Sequence, residues 1–545
     1  MRADETAFQV GGRPRRLPLP ALLGERRPPV ALLLAGVVIG IAASLPAAYL
    51  AVVIADGAAV AWDTVWSSRT AALLGRTAAL AGGVTAAAVS IGVTLAWLTI
   101  RSDLPARRVW ATLATLPLVI PSYIGAYLLV SALGPRGELQ GALEVLGVER
   151  LPSIYGFFGA WLALTLFTYP LVMIPVRGAL RRLDPQLEEA ATTLGRGRLD
   201  VLRTVVLPQL APAIGAGALL VALYTLSDFG AVSIMRFNSF TREIYISATS
   251  SFDRTGAAAL GAVLVLVTLG VLVVYIRIRN RTAYHRTGPG TARPATTVPL
   301  GRWKLPAIAF CSLVVALALL LPLGMLIYWS TQELSSGLHL GSVAANAGNS
   351  LLVGSFAAAA AAFAAIVVAI LAVRFRSPTS TAIERVSYAG YALPGIVVAL
   401  ALVFIGTRVA PALYQTFALL VFALAVHYLP LAVGPVAASL LQVSPRVEEA
   451  ARGLGRGPLN VFGTITTPLA ASGILAGTAL VFLHAVKELP ATLLLAPIGF
   501  ETLATDIWRQ TSVGFFEAGA IPALVLLLVA APPLYLLSER GTVAS

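Results

Sequence analysis

The stretch Val30–Ile54 reads VALLLAGVVIGIAASLPAAYLAVVI and contains no charged residue. A second stretch, Gly256–Ile276, reads GAAALGAVLVLVTLGVLVVYI and is equally free of charge. About 20 apolar residues cross a bilayer as an α-helix, whereas membrane barrels alternate apolar and polar residues in segments of about ten. The two stretches therefore predict membrane-spanning helices.

The composition of all 545 residues agrees with this prediction, because 58% are hydrophobic and only 12% are charged. Soluble domains carry roughly twice that fraction of charged residues, and disordered chains lack such an apolar content. The predicted fold class is an all-α polytopic membrane protein. Cys311 is the single cysteine, which excludes an intrachain disulfide and a cysteine-based metal cluster within one chain.

Apolar runs along the chain predict about 12 transmembrane helices. The predicted spans are 30–55, 75–100, 108–133, 153–177, 210–235, 256–277, 305–329, 347–373, 385–407, 411–440, 470–496 and 518–538. Pro121 and Pro394 fall inside the third and the ninth span, where proline predicts a kink.

The net charge of +14 arises from 39 Lys and Arg residues against 25 Asp and Glu residues. In a soluble protein this excess would suggest nucleic acid as a partner, but basic residues also retain loops in the cytoplasm. If the chain begins in the cytoplasm and the spans alternate, most basic residues lie on the cytoplasmic side. We therefore expect both termini in the cytoplasm, membrane lipid around the spans, and no nucleic acid partner.

The two halves of the sequence repeat each other. Segment 187–197 reads LEEAATTLGRG, and segment 447–457 reads VEEAARGLGRG, 260 positions later. Further pairs at this offset are Pro208–Pro468, Asp228–Glu488 and Phe240–Phe500, and an offset of 273 pairs Gly75–Gly348 and Pro121–Pro394. An even number of spans in each repeat predicts two parallel six-helix repeats with pseudo-twofold symmetry about an axis along the membrane normal.

This pattern divides the chain into four segments. Residues 1–28, rich in Arg and Pro, are predicted to be a disordered cytoplasmic segment. Residues 29–279 form the first membrane domain of six spans, and residues 305–545 form the second. The Arg-rich segment 280–304 between them contains several Gly and Pro residues and is predicted to be a cytoplasmic linker.

Each repeat places an acidic, alanine-rich segment in the cytoplasmic loop between its fourth and fifth spans. Asp184 or Ser444 precedes a proline at the start, which suits a capped first helical turn, and acidic residues follow where the helix dipole favours them. Gly195 or Gly455 is expected to end the helix. Two short helices are therefore predicted on the cytoplasmic side.

These loops resemble the motif Glu-Ala-Ala-x-x-x-Gly, followed after nine residues by Ile-x-Leu-Pro, of binding-protein-dependent ABC importer permeases. The departures are Val205 at the Ile position and Thr467 at the Leu position. In that family the loop is a coupling helix that docks on the ATPase. The resemblance implies ATPase-coupling roles for Glu188, Glu189, Ala190, Ala191, Gly195, Glu448, Glu449, Ala450, Ala451 and Gly455.

The motif G-x-x-x-x-G-K-[ST] is absent, since neither Lys304 nor Lys487 is followed by Ser or Thr. We therefore expect that the chain is not an ATP-hydrolysing enzyme and binds no cofactor itself. The resemblance implies two ABC ATPase subunits that use ATP and Mg, and an extracytoplasmic substrate-binding protein. It also implies a multi-pass position in a bacterial plasma (inner) membrane.

A narrower resemblance concerns the substrate. The fused double arrangement, with KELPATLLL at Lys487–Leu495 and SDFG at Ser227–Gly230, resembles the ferric iron (Fe(III)) permeases of this family. Ferric iron is therefore the substrate that the resemblance implies. The same fused form also serves thiamine and phosphonate importers, so these substrates stay open.

Spans 5 and 11 carry matched polar pairs four residues apart, Tyr224 with Asp228 and His484 with Glu488. This spacing places each pair on one face of a helix, and ionisable groups within spans usually face a cavity or a partner. Carboxylate, phenolate and imidazole groups are able to bind a hard or borderline metal cation. The four residues are therefore candidates for the lining of a substrate pathway.

Three interpretations of the intramembrane charges stay open. Asp228 and Glu488 could transiently contact a ferric ion, or they could form a neutral ion-pair network with Arg76 and Lys487. In the third interpretation, Arg76 and Lys487 contact an anionic substrate such as a phosphonate. All four are substrate-pathway candidates.

Two other classes of function remain as alternatives. A gradient-driven secondary transporter would suit the intramembrane carboxylates, but the duplicated cytoplasmic loops would then have no role. A membrane-embedded enzyme is disfavoured because the sequence contains neither H-E-x-x-H nor G-x-S-x-G, and has no cysteine cluster.

Overall fold

The computed structural model describes residues 28–135, 137–144, 147, 151–183, 185–281, 297–335, 340–375 and 377–543. Across these ranges the regular structure is helical, apart from one parallel β-bridge between Ser102 and Val298. The predicted all-α fold class is confirmed. The predicted disordered segment lies outside the described residues except for residue 28, and so do residues 282–296 of the predicted linker.

The helices of the first half are α1 (Val30–Asp56), α2 (Ala58–Val65), α3 (Ser68–Arg101), α4 (Arg107–Leu113), α5 (Ser122–Leu133), α6 (Glu138–Glu144), α7 (Phe157–Thr168), α8 (Pro170–Arg181), α9 (Pro185–Thr193), α10 (Arg198–Val201), α11 (Leu207–Ser227), α12 (Gly230–Ile234), α13 (Phe240–Thr249) and α14 (Arg254–Arg281). Those of the second half are α15 (Lys304–Val315), α16 (Leu321–Ser335), α17 (Leu340–Arg374), α18 (Pro378–Ala392), α19 (Gly395–Arg408), α20 (Phe417–Gln442), α21 (Pro445–Gly453), α22 (Pro458–Val461), α23 (Thr467–Val486), α24 (Pro490–Leu495), α25 (Leu503–Ser512) and α26 (Ala520–Val543).

Nine helical runs among the described residues are long and apolar enough to cross a membrane, or ten if the pair bent by 102° between Val119 and Ser122 is one broken span. Among the described residues, nine or ten of the predicted spans therefore meet these criteria. Two further apolar helices are α19 (Gly395–Arg408) and the first part of α26, Ala520–Pro532. They occupy the places of the predicted ninth and twelfth spans.

Pro121 and Pro394 interrupt the predicted third and ninth spans instead of kinking them. Each has extended backbone angles and immediately precedes the first residue of a helix, α5 or α19. The prolyl ring removes a donor and excludes the preceding residue from helical angles. The predicted kinks are therefore helix starts.

The structure also corrects one pairing between the repeats. Helices α13 and α25 begin after the hydroxyl caps Ser239 and Thr502, which lie 263 positions apart. The pairing of Phe240 with Phe500 is therefore wrong by three residues. The second half has a longer turn between α24 and α25 than the first half has between α12 and α13.

Helices at the start of each half pack on the opposite half. Helices α3, α8 and α11 pack on one another in the first half, and α17, α20 and α23 do so in the second. Helix α1 packs on α17, α18 and α19 of the opposite half, while α16 packs on α5. At Gly36, α1 comes so close to α17 that a Cβ would overlap with Leu371 Cδ1.

The end of the linker is attached to the C-terminal end of α3. The Val298 N–H donates to the Arg101 carbonyl at 2.7 Å, and the Leu300 N–H donates to Asp103 Oδ1 at 2.8 Å. This hydrogen bond from Leu300, together with nearby Lys304, holds the pKa of the Asp103 carboxyl below its usual range. The second half therefore begins beside the end of α3.

Candidate functional site

Helices α9 and α21 are the two helices predicted for the cytoplasmic loops, and each ends at a glycine. Gly195 and Gly455 both have a φ of +83°. The Gly195 N–H donates to the Thr192 carbonyl at 2.9 Å, and the Arg196 N–H donates to the Ala191 carbonyl at 3.1 Å. The second copy repeats both bonds. This pair of bonds is a Schellman cap, whose left-handed residue is easiest to form with glycine.

The cap predicted at the start of α21 is not found. Ser444 precedes α21, but its side chain accepts no hydrogen bond from the first turn. Asp184, which precedes α9, lies outside the described residues.

The first acidic residue of each helix points into the protein. Glu188 forms an ion pair with Arg101, whose side chain is only 1% exposed. In the second copy, Arg374 Nη2 lies 3.0 Å from Glu448 Oε1. Arg101 and Arg374 are the last residues of α3 and α17. Each ion pair therefore ties a coupling helix to the second predicted span of its own repeat.

The second of these ion pairs has additional partners. Thr466 Oγ1 donates to Glu448 Oε1 at 3.0 Å, and Arg374 Nη2 also donates to the Val443 carbonyl at 2.9 Å. The exposed Arg452 lies 3.9 Å from the other carboxylate oxygen. Removing one partner of a buried ion pair leaves an uncompensated charge, so these contacts hold the helix in one orientation.

The remaining predicted coupling residues divide between two faces. Ala191 and Ala451 are buried, and they therefore pack against the protein instead of facing a partner. The residues that are exposed are Glu189, Ala190, Glu449 and Ala450. The outer face of each coupling helix thus carries one acidic residue and one small residue at matched positions.

The family motif does not include the apolar residues that lie on the same exposed surface of α9 and α21. Leu194 is 82% exposed and its counterpart Leu454 is 84% exposed. Leu187 and Val447, the next matched pair, are about half-exposed. Exposed large apolar side chains of this kind mark an interaction surface. The signal in the sequence was an apolar residue at corresponding positions of two otherwise polar loops.

A π-helical segment connects each coupling loop to the span that follows it. These segments are Leu202–Val206 and Phe462–Thr466. The Leu207 N–H bonds five residues back, to the Leu202 carbonyl, and the next residue, Pro208, has no N–H to donate. Pro468 has the same place in the second half. Such segments are frequent at functional sites, and here they lead into α11 and α23.

Asp228 lies beyond the end of α11. Its N–H still donates to the Tyr224 carbonyl, but its own backbone is extended. Its Oδ1 accepts from the N–H groups of Ala231 and Val232 at 3.0 and 3.3 Å and so caps α12, while Oδ2 accepts from Ser122 Oγ of α5. Asp228 thus follows the last residue of α11, and its carboxylate still interacts electrostatically with the Tyr224 hydroxyl.

Glu488 has the equivalent position beyond α23, so it does not share a continuous helix face with His484. Its Oε1 accepts from the Ala491 N–H at 3.4 Å and caps α24, while Oε2 accepts from the Tyr428 hydroxyl. Gly395 stands where the first half has Ser122, and a Cβ there would lie 2.9 Å from Glu488 Oε1. The carboxylate therefore packs against the start of α19.

The Tyr428 hydroxyl donates a hydrogen bond to Glu488, and two histidine rings lie near the Tyr428 ring. The Tyr428 ring centroid lies 4.5 Å from that of His427 and 5.5 Å from that of His484. His484 Nδ1 lies 2.8 Å from the Leu480 carbonyl. This contact fixes the orientation of the imidazole.

Polar groups from both halves meet around the two carboxylates. The Glu488 carboxylate interacts electrostatically with the hydroxyls of Tyr123 and Tyr224, which belong to the first half. We call this group of side chains the central polar layer. It consists of Ser122, Tyr123, Tyr224, Asp228, His427, Tyr428, His484 and Glu488.

The ion-pair network predicted for the intramembrane charges does not form. Arg76 is exposed, and within the described ranges neither Arg76 nor Lys487 forms an ion pair with Asp228 or Glu488. Hydroxyl and backbone donors satisfy both carboxylates. The part of the chain that the structure describes also has no cluster of three or more His, Cys, Asp or Glu side chains placed to hold a metal ion.

Residues 88–283 and 361–538 match the model of the family described as binding-protein-dependent transport system inner membrane component. The chain belongs to this family. Since the two matched ranges fall in the two halves, the fused double-permease arrangement is confirmed. The protein is therefore a multi-pass inner-membrane permease of a binding-protein-dependent transport system.

Three relatives show how far the similarity of this permease extends. It is 34% identical over 519 residues to the Fe(3+)-transport system permease protein FbpB 2 of Haemophilus influenzae, covering 94% of this chain and 99% of that protein. It is 31% identical over 195 residues to the molybdenum transport system permease protein ModB of Escherichia coli, covering 34% of this chain and 82% of that one. It is 28% identical over 225 residues to the sulfate transport system permease protein CysT of Salmonella typhimurium, covering 40% of this chain and 80% of that one.

An aromatic group adjoins the central polar layer of the permease at Asp228. Phe229 follows Asp228 directly and is buried. Its ring centroid lies 4.8 Å from that of Tyr245 and 5.2 Å from that of Trp508. Tyr245 belongs to the first half and Trp508 to the second. These three rings, which we call the aromatic floor, therefore lie at the contact between the halves.

Proposed function

We propose that this permease imports ferric iron that an extracytoplasmic binding protein delivers, and that two ABC ATPase subunits drive the import. The observation that carries the proposal is the 34% identity, over 94% of this chain, to a protein named as an Fe(3+)-transport permease. Both termini lie in the cytoplasm in this proposal, as the distribution of basic residues indicates.

The two coupling helices support docking of two equivalent ATPase subunits. Each helix presents the same exposed acidic and apolar residues, among them Leu194 and Leu454. Each is tied to its own repeat by an internal ion pair, Arg101–Glu188 or Arg374–Glu448. Closure of an ATPase dimer would then move α9 and α21 together with the ends of α3 and α17.

The central polar layer supports passage of a ferric ion. It combines carboxylate, phenol and imidazole groups from both halves, which are donors that suit hard and borderline cations. Asp228 and Glu488 are the two carboxylates, and no cationic side chain among the described residues is paired with either. In this proposal they contact the ion transiently as it crosses, with Ser122 and Tyr428 as their partners at rest.

Import of thiamine, a phosphonate or another small anion by the same class of permease is the alternative. The similarity to permeases named for molybdenum and for sulfate favours it. A gradient-driven secondary transporter is a further alternative, and it predicts uptake without nucleotide.

The test is uptake of radiolabelled ferric iron into proteoliposomes that contain the permease with its ATPase, supplied with the binding protein. We expect uptake only with ATP and the binding protein, and no competition by thiamine, phosphonate, molybdate or sulfate. An ATPase whose P-loop lysine is replaced is the control. Uptake driven by an ion gradient without ATP would exclude the ABC mechanism, and ATP-driven uptake of phosphonate but not iron would favour the alternative substrate.

A further inference from the structure

A cleft of about 320 Å³ opens between the two halves on the outer side of the aromatic floor. Tyr155, Ser233, Arg236 and Arg242 line it from the first half, and Trp508 and Ser512 line it from the second. Pockets that bind small molecules have volumes of about 300 to 1,000 Å³. The cleft is therefore large enough for a small solute that approaches the central polar layer.

The described charged residues that line the cleft are all positive. Of the described residues that line it, two are arginines and none is a carboxylate. The Arg236 guanidinium lies over the Tyr155 ring, 4.9 Å from its centroid, and the Arg242 guanidinium donates to Asn238 Oδ1. Within the described ranges neither arginine forms an ion pair.

The acidic residues of the adjoining helices have other partners. Glu243 of α13 is paired with Arg69, and Asp506 of α25 lies 2.9 Å from Arg509 Nη2. These carboxylates therefore do not neutralise the cleft. Ser233 also lines the cleft, and its buried Oγ has no hydrogen-bond partner within the described protein.

The backbone at Arg236 supports a specific role for its side chain. Arg236 has a φ of +53°, and its counterpart 263 positions later, Gly499, has a φ of +78°. Glycine adopts this left-handed conformation without steric penalty, whereas a residue with a Cβ does not. The first half therefore holds an arginine in a turn where the second half has the residue that suits the backbone. Strained positions of this kind occur at binding sites.

The arginines also depart from the symmetry of the repeats. Arg242 is the third residue of α13, and Thr505 has that place in α25. The charge therefore comes from one half alone, although both halves supply walls of the cleft. An asymmetric charge of this kind fits one ligand at the contact between the halves.

We propose that this cleft is a binding site for a small oxyanion or carboxylate at the outer mouth of the pathway. Arg236 and Arg242 pair with the anion, because the guanidinium fork matches carboxylate and oxyanion geometry, and Ser233 Oγ donates a further hydrogen bond. The inference rests on the proposed importer function and refines its substrate. Two guanidinium groups repel a bare trivalent cation, so ferric iron passes this point only with anionic ligands.

A free anion fits the cleft better than a carboxylate side chain of the binding protein. The cleft has the volume of a small-molecule pocket, and walls from both halves and the aromatic floor surround it. A protein side chain would need only a shallow contact on one half.

The test is calorimetric titration of the full-length permease in lipid nanodiscs with inorganic phosphate and with citrate, at constant ionic strength. We expect saturable binding that becomes at least about tenfold weaker in the double variant R236Q/R242Q, since each charge-assisted hydrogen bond is strong. The variant R236G is a second probe, because Gly499 shows that this turn accepts glycine, and it is expected to fold while binding more weakly. R408Q, which removes an exposed arginine remote from the cleft, is expected to bind as the parent does.

Trp508 reports the location of the bound anion. We expect both probes to change the tryptophan fluorescence of the parent and of R408Q, and to leave that of the variant W508F unchanged.

Equal affinity of the parent and the double variant would overturn the proposal, as would a parent that binds neither probe. If neither probe binds but the binding protein docks more weakly on R236Q/R242Q, the arginines recognise a partner side chain and the free-anion site is wrong. Binding is measured without ATP or iron, so this outcome is independent of a failure to transport iron.

Discussion

Arg374 Nη2 lies 3.0 Å from Glu448 Oε1 and fastens the second coupling helix to the cytoplasmic end of α17. The corresponding contact in the first half joins Arg101 to Glu188. Both acidic residues directly precede the Glu-Ala-Ala motif and are among those for which the resemblance implies ATPase coupling, yet both face the protein. If the loop docks on an ATPase as proposed, its internal face is held by these ion pairs and its external face is exposed to the partner.

Replacing Arg374 with Ala tests the internal face. Glu448 would lose its strongest partner, and breaking a buried ion pair from one side costs about 3–5 kcal/mol. We expect a lower melting temperature of the purified permease and weaker stimulation of the ATPase by substrate. R452A is the matched control, because Arg452 is more exposed and lies 3.9 Å from Glu448, so its loss is expected to cost about 0–1 kcal/mol. Equal effects of the two variants would contradict the anchoring role.

Replacing Leu194 and Leu454 with Asp tests the external face. Both leucines are exposed, so the variants are expected to fold with unchanged stability. The apolar contact with the ATPase would be lost, and we expect at least about tenfold weaker binding, as for residues at the centre of an interface. Co-purification of the ATPase with the permease measures this. I498D, which changes an equally exposed residue away from the cytoplasmic loops, is expected to retain the ATPase, and retention in all three variants would contradict docking through the leucines.

The variants D228N and E488Q test the central polar layer. The oxygen of each amide side chain still accepts the backbone N–H groups, and its NH2 group donates to the Ser122 or Tyr428 hydroxyl, so the fold is expected to persist. If the carboxylates contact a ferric ion, loss of their charge is expected to lower iron uptake by about tenfold or more. The comparison is S122A, which removes a hydrogen bond and keeps the carboxylate, and which is expected to transport. Full uptake by the folded double variant would rule out the metal contact.

Gly455 and Gly453 form a pair for testing the helix end. Neither has a neighbouring atom within 4 Å of an added Cβ, but only Gly455 has a positive φ. We expect G455A to cost roughly 1–2 kcal/mol of unfolding free energy, because a Cβ disfavours the left-handed region. G453A is expected to be neutral or stabilising by up to about 1 kcal/mol, since alanine suits a helix better than glycine. Thermal unfolding compares them, and the same result for both would contradict the Schellman cap.

The sequence predicted the features that depend on local pattern. Apolar runs predicted the long apolar helices, and the repeated segments 187–197 and 447–457 predicted α9, α21 and the glycines that end them. These properties follow from the period of apolar residues and from the backbone preference of glycine. Neither requires knowledge of distant contacts.

Features that depend on distant partners were not predictable in this way. Arg101 lies 87 positions from Glu188, so the motif alone could not show which way the carboxylate points. The i, i+4 spacing assumed that spans 5 and 11 are continuous, but Asp228 and Glu488 accept backbone N–H groups of α12 and α24 and so mark the ends of α11 and α23. A carboxylate that caps a new helix has the same sequence spacing as one on a helix face.

The packing of α1 on the opposite half has a consequence for biosynthesis. Helix α1 is the first described helix to leave the ribosome, yet its packing partners α17, α18 and α19 are synthesised only after the whole first half. Until the second half inserts, it therefore packs only on α2 and α14 among the described helices of the first half, and the contact between Gly36 and Leu371 does not yet exist. Joining both halves in one chain keeps this helix and its partners at a high effective concentration, so maturation of this permease does not depend on an encounter between separate subunits.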